Sequence, residues 1–133
     1  MSSIPETFLD LFKRDKKAFA HVATVMSDGS PQLTPVWFDY DGQYVIINTA
    51  AGRVKHKTMQ LDSKIAIEIS DPENPYRYIQ VRGKVAEITE ADGDAVIDSL
   101  AKKYMDVDSY PFRKAGEQRV TYRITTDHIQ TNG

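Results

Sequence analysis

Polar and apolar residues alternate along most of this chain, and in three places the alternation gives way to helical spacing. Between Ala18 and Asn48, "AFAHVATVMSDGSPQLTPVWFDYDGQYVIIN", the alternation falls into three runs broken at Asp28-Gly29 and Asp41-Gly42. A period of two marks half-buried strands, and Asp-Gly between two such runs is a hairpin signal. The pattern predicts strands over 18–26, 32–40 and 44–48, joined as an antiparallel meander. Two more are predicted over 64–70 ("KIAIEIS") and 76–88 ("YRYIQVRGKVAEI"), with a loop from Asp71 to Pro75 between them. Gly83 inside the second of these marks a bulge or the close approach of another segment. A final strand lies in "QRVTYRITTDHIQT".

Helical spacing appears first over 4–16, where Pro5 suits an opening position and Phe8, Leu11 and Phe12 share a face. A second helix is predicted over 53–61. A third runs from Thr89, as N-cap, to Met105, with Val96, Leu100 and Tyr104 on one face and Ile97 beside it. The stretch 106–116 is irregular or briefly helical. Six strands with three helical segments do not make alternating βα units. They predict a mainly β fold, a closed or split antiparallel barrel with peripheral helices, filling one domain over 1–133.

Composition narrows the functional classes. The 133 residues are 41% apolar and 27% charged, enough for one core and not for two. A net charge of −2 argues against nucleic-acid or anionic-membrane partners. The absence of cysteine excludes disulfides, thiolate chemistry and cysteine metal sites. No apolar run approaches the roughly 20 residues of a spanning helix. The first residues, "MSSIPETFLDLFKRDKK", place their cations after the apolar ones, the reverse of a secretion signal. A cytoplasmic location is expected. His21, His56 and His128 fall on different elements without a zinc-binding spacing, so no metal site is expected; His21 reads as structural and His56 as exposed. No nucleophile stands beside a paired base, and no catalytic residue is assigned. Asp92, Asp94, Asp106 and Asp108 read as solvated or capping groups.

The segment "TAAGRVKHKTMQLDS" carries the chemistry. Arg53, Lys55 and Lys57 crowd the start of the predicted helix, where the backbone is already electropositive and cations are unfavourable. On a regular helix Val54, Thr58 and Leu61 face the barrel, Arg53, Lys57 and Gln60 share another side, and Lys55 lies opposite those three. The cations are either solvated surface groups or one wall of a phosphate site. Ala50-Ala51-Gly52 lets a ligand approach the backbone, and side chains and free N–H groups together would offer charge-assisted hydrogen bonds. Neither a Walker nor a Rossmann glycine pattern is present.

At these residues the chain resembles the pyridoxamine 5'-phosphate oxidase-like split β-barrel family of flavin and deazaflavin proteins. "HVATVMSDGSPQLTPVWFDYDGQYVIINT" and "GRVKHKTMQLDSKIAIEISDPENPYRYIQVRGKV" carry the resemblance, which covers nearly the whole length. It is strongest to the small branch that uses the deazaflavin coenzyme F420. The resemblance implies a split antiparallel β-barrel of the FMN-binding type, paired as a homodimer with the cofactor in a groove between subunits. Arg53 and Lys55 match the family's phosphate-gripping Arg-x-Lys, and Lys57 its second basic residue. Thr58 stands where an Asn is usual. Pro35, Val36 and Trp37 match an edge lying along the ring system, and Asn48 and Thr49 a strand end near the ribityl chain or phosphate. Gln80 or Arg82 would reach the cofactor from a strand near the dimer groove. The implied activity is hydride transfer from reduced F420 to an electron-poor small molecule. The alternatives are an FMN-dependent oxidoreductase and a non-catalytic cofactor carrier.

Overall fold

A computed structural model describes residues 1–133. A 3-10 helix (Glu6–Phe12) precedes the hairpin β1 (Ala20–Val25) and β2 (Pro31–Val36), then β3 (Asp39–Tyr40) and β4 (Val45–Ala50). Helix α1 (Val54–Thr58) leads to β5 (Lys64–Asp71), the long β6 (Asn74–Thr89), α2 (Gly93–Met105), β7 (Arg119–Ile124) and β8 (His128–Asn132). The strands follow the order β2-β1-β5-β6-β7-β4-β3, all antiparallel, with β8 on β6. The sheet stays open, and the long β6 serves both halves: its first part pairs with β5 and β8, its last part with β7. The fold is a split β-barrel.

Eight strands stand where the alternation predicts six, because two predicted strands are interrupted. The run 32–40 breaks at Trp37-Phe38. There α2 satisfies the backbone in place of a neighbouring strand: Lys103 Nζ donates to Phe38 O at 2.9 Å, and the Phe38 N–H donates to Tyr104 Oη at 3.3 Å. Both predicted hairpins form, β1 with β2 and β3 with β4, but the chain crosses between the halves at this point, so β2 and β3 end at opposite edges and the two hairpins do not join as one continuous meander. The last run breaks at Thr125 to Asp127. Thr125 N donates to Lys84 O, Asp127 N to Arg82 O, and a Cβ on Gly83 would sit 1.8 Å from Thr125 O. Gly83 therefore permits the close approach at which the chain leaves β7 for β8. The predicted 71–75 loop shrinks to a turn at Pro72 and Glu73, and Thr89 closes β6 instead of capping α2. The N-terminal helix is one short 3-10 segment, anchored by buried Phe8, Leu11 and Phe12.

The core is one cluster of 20 buried residues, filled by Val22, Ile47, Ile67, Ile69, Ile79, Val81 and Tyr122 among others. A smaller cluster, Ile97, Leu100 and Tyr104 on α2, packs with Trp37, Val96 and Tyr110. The predicted face of α2 is the one that buries. Between that cluster, β2 and α1 lies a groove. No helix is long and apolar enough to cross a membrane.

Candidate functional site

The groove has a volume of about 440 Å3. β4 brings Asn48 and Thr49, the end of β2 brings Pro35 and Val36, and the β2–β3 break brings Trp37. Arg53, just before α1, and Lys55, on it, line the groove, together with Tyr110, Phe112 and Arg119. Lys57 and Gln80 do not line it. Lys57 is exposed on α1, and Gln80 sits on the outer sheet face, in the row Pro35–His21–Glu68–Gln80–Gln130. Arg82 lies on the same outer face.

Helix α1 differs from the wheel drawn on the sequence. It has five residues, and Thr58 ends it by turning its hydroxyl back to Val54 O (3.1 Å) and Lys55 O (3.3 Å). The side facing the barrel is Lys55, His56 and fully buried Met59, while Val54 and Leu61 are exposed. One and a half turns are too few for periodicity to fix a face; the descent of Met59 into the core fixes it instead. His56 is not exposed: its Nδ1 lies 2.6 Å from Tyr122 Oη, a hydrogen bond that ties α1 to the core. Burial pushes the Tyr122 hydroxyl up to about 12.

The electrostatics are one-sided at this end of the groove. Lys55 is half-buried and donates only to Thr34 Oγ1, at 3.0 Å. Desolvation, and then Arg53 beside it, hold its ammonium below the usual lysine range. None of the molecule's twelve salt bridges includes Arg53, Lys55 or Lys57. Thr49, 1% exposed, buries a hydroxyl with no hydrogen-bond partner. A buried polar group left unpaired costs about 1–3 kcal/mol, a cost the fold carries beside the groove. Two cations that line the groove and enter no salt bridge fit a phosphorylated ligand.

Much of the remaining lining is aromatic. Trp37 stacks on Tyr104 with centroids 5.3 Å apart and planes 4° apart, and Phe19 stacks on Tyr104 at 5.5 Å. Tyr110 meets Trp37 edge-on at 6.1 Å and Phe112 at 5.7 Å. Such a wall suits a planar ring. Asn48 is committed to the protein: Nδ2 donates to Gly93 O (2.8 Å) and Thr121 Oγ1 (3.3 Å), and Oδ1 accepts from Arg119 Nε (2.8 Å). No local pattern in the sequence singles out Arg119, because only the β4–β7 pairing sets it opposite Ala50.

An open split barrel with an anion-ready, aromatic-walled groove defines a class of cofactor-binding barrels. Within it, the profile of the pyridoxamine 5'-phosphate oxidase family matches residues 5–133, and the chain belongs to that family. Among solved structures it is similar to an F420 reductase, with 28% identity and a TM-score of 0.81 over 96% of this chain and 98% of that one. It shares its fold with the FAD and heme binding protein from Mycobacterium smegmatis (18% identity, TM-score 0.68, 98% of this chain and 71% of that one). The same holds for HupZ from Group A Streptococcus (22% identity, TM-score 0.66, 96% and 93%). No curated protein matches the sequence.

Proposed function

We propose that this protein is an F420-dependent oxidoreductase that passes a hydride from reduced deazaflavin to an electron-poor small molecule. The observation that carries the reading is the pair Arg53 and Lys55, two cations in no salt bridge that line a groove shared with aromatic side chains. The similarity to an F420 reductase over nearly both whole chains supports the choice of deazaflavin over FMN.

Bound there, the cofactor supplies the hydride chemistry. Arg53 and Lys55 hold its phosphate. Trp37, Tyr110 and Phe112 orient planar rings and keep water from the reacting face. Orientation of two reactants is worth about 7–11 kcal/mol in favourable cases, enough to drive turnover without a dedicated acid–base pair. The proton that accompanies hydride addition comes from solvent or from Tyr110, the tyrosine lining the groove. A homodimer completes the site. The row Leu33–Ala23–Ala66–Arg82–His128 crosses the outer sheet face with Leu33 66% exposed, and a second copy laid on that face brings Gln80 and Arg82 toward its partner's groove.

The test is spectroscopic, then kinetic. Purified protein is titrated with F420, following the cofactor's fluorescence, and reduced F420 is then offered with menadione. Saturable quenching and enzyme-dependent oxidation of reduced F420 are expected. Tight FMN binding with no F420 binding would replace deazaflavin by flavin; F420 binding without turnover would leave a carrier.

A further inference from the structure

Arg119 belongs to the groove in a different manner from Arg53 and Lys55. It is 4% exposed, and three neighbours fix its guanidinium. Nε donates to Asn48 Oδ1 at 2.8 Å, Nη1 donates to the Glu117 carboxylate, and Cζ lies 5.2 Å from the centre of the Tyr110 ring. Glu117 is itself buried to 8% side-chain exposure, and the hydrogen bond from Arg119 holds its carboxyl below the usual range. The pair is therefore close to neutral as a unit. Asn48 is locked in turn by Gly93 and Thr121, so the fork cannot swing.

One arm of the fork is unspent. Nη2 makes no hydrogen bond, yet it is not among the unpaired atoms sealed from solvent, and the groove is the space that Arg119 lines. Tyr110 packs against the guanidinium, Lys55 is tied to Thr34, and Glu117 answers the Arg53 charge as well as that of Arg119. A neutralised, immobile guanidinium is poorly matched to a phosphate when Lys55, paired with no carboxylate, lines the same groove. It is well matched to a single acceptor oxygen at a set position, because its donors are pre-oriented.

Resting on the cofactor reading above, we infer that Arg119 reads the ring of the bound cofactor, donating from Nη2 to a ring carbonyl oxygen, while Arg53 and Lys55 read the phosphate. Asn48 and Glu117 are positioning residues that aim it. The division of labour separates ring affinity from phosphate affinity, and the two are measurable apart.

The experiment uses F420 and FMN together with their phosphate-free counterparts, the free deazaflavin chromophore and riboflavin. Dissociation constants are measured for wild type, Arg119→Gln and Arg53→Ala. Loss of one hydrogen bond to a charged donor corresponds to about ten- to hundredfold in affinity. Arg119→Gln is expected to weaken the phosphorylated cofactor and its phosphate-free counterpart by the same factor, and Arg53→Ala to weaken only the phosphorylated one. A loss confined to the phosphorylated ligand, or no loss on either, overturns the inference. Should Arg119→Gln fail to fold by circular dichroism, Glu117→Gln keeps the arginine and frees its aim. A smaller but equal loss on both ligands is then expected, and an unequal or absent loss overturns the inference. Wild type that binds none of the four ligands removes the cofactor reading and this inference with it. Wild-type binding that is indifferent to Arg119 removes the inference alone.

Discussion

Thr49 buries a hydroxyl that nothing in the chain satisfies, and Lys103 buries an ammonium; each leads to a measurement. Thr49→Val keeps the shape and deletes the orphan. The cofactor-free protein is expected to gain about 1 kcal/mol in urea unfolding, with cofactor affinity unchanged because the hydroxyl is sealed from the groove. Unchanged stability would contradict the cost assigned to the orphan. Lys103 donates to Phe38 O, and burial, partly offset by Asp39, lowers its ammonium to about 8 from 10.5. Between those values the unfolded chain holds a proton that the folded one has released, so stability rises with pH across that window. The melting temperature of wild type is expected to climb relative to Lys103→Met from pH 8 to 10, and a parallel course would contradict the burial argument. Arg53 and Lys55 stood out by their charge, whereas Asn48, Thr49 and the Pro35-Val36-Trp37 edge were named only by the family resemblance; all of them line one groove. Arg119 was not legible, since its significance depends on a partner strand some seventy residues earlier and on Glu117 folding beneath it. Lys57 resembled Lys55 in sequence, and only the turn of a very short helix separates them.

Helix α1 is the element on which the site depends, and five residues cannot hold themselves in place. The His56–Tyr122 hydrogen bond and the burial of Met59 hold it. Tyr122→Phe is expected to cost about 1 kcal/mol of stability and to speed amide exchange over 54–58 more than elsewhere. Cofactor affinity should fall with it, although Tyr122 does not line the groove. Uniform exchange across the chain would show that α1 is held by other contacts. The strands were legible from their alternation, but two of their breaks were not. Val36-Trp37-Phe38 and the change of phase between Ile124 and Ile129 depart from strict alternation without marking a strand end, and the breaks arise because α2 and Gly83 offer the backbone different partners.

At the scale of the whole molecule, the outer face of β1, β2 and β5 exposes Leu33 and Val25 beside Ala23 and Ala66. Surface of that kind is normally covered. Light scattering at micromolar concentration is expected to give twice the 15.0 kDa chain mass, and Leu33→Lys to give monomers with weakened cofactor binding. A wild-type monomer would take away the partner's share of the groove. The central claim is that a phosphorylated redox cofactor neutralises Arg53 and Lys55, and one titration addresses it directly. F420 affinity is measured for wild type and for the double variant Arg53→Ala/Lys55→Ala, with circular dichroism as the control for folding. Both side chains lie outside the core, so the fold should persist while binding weakens by about 2–5 kcal/mol. A folded double variant that binds F420 as tightly as wild type would contradict the assignment.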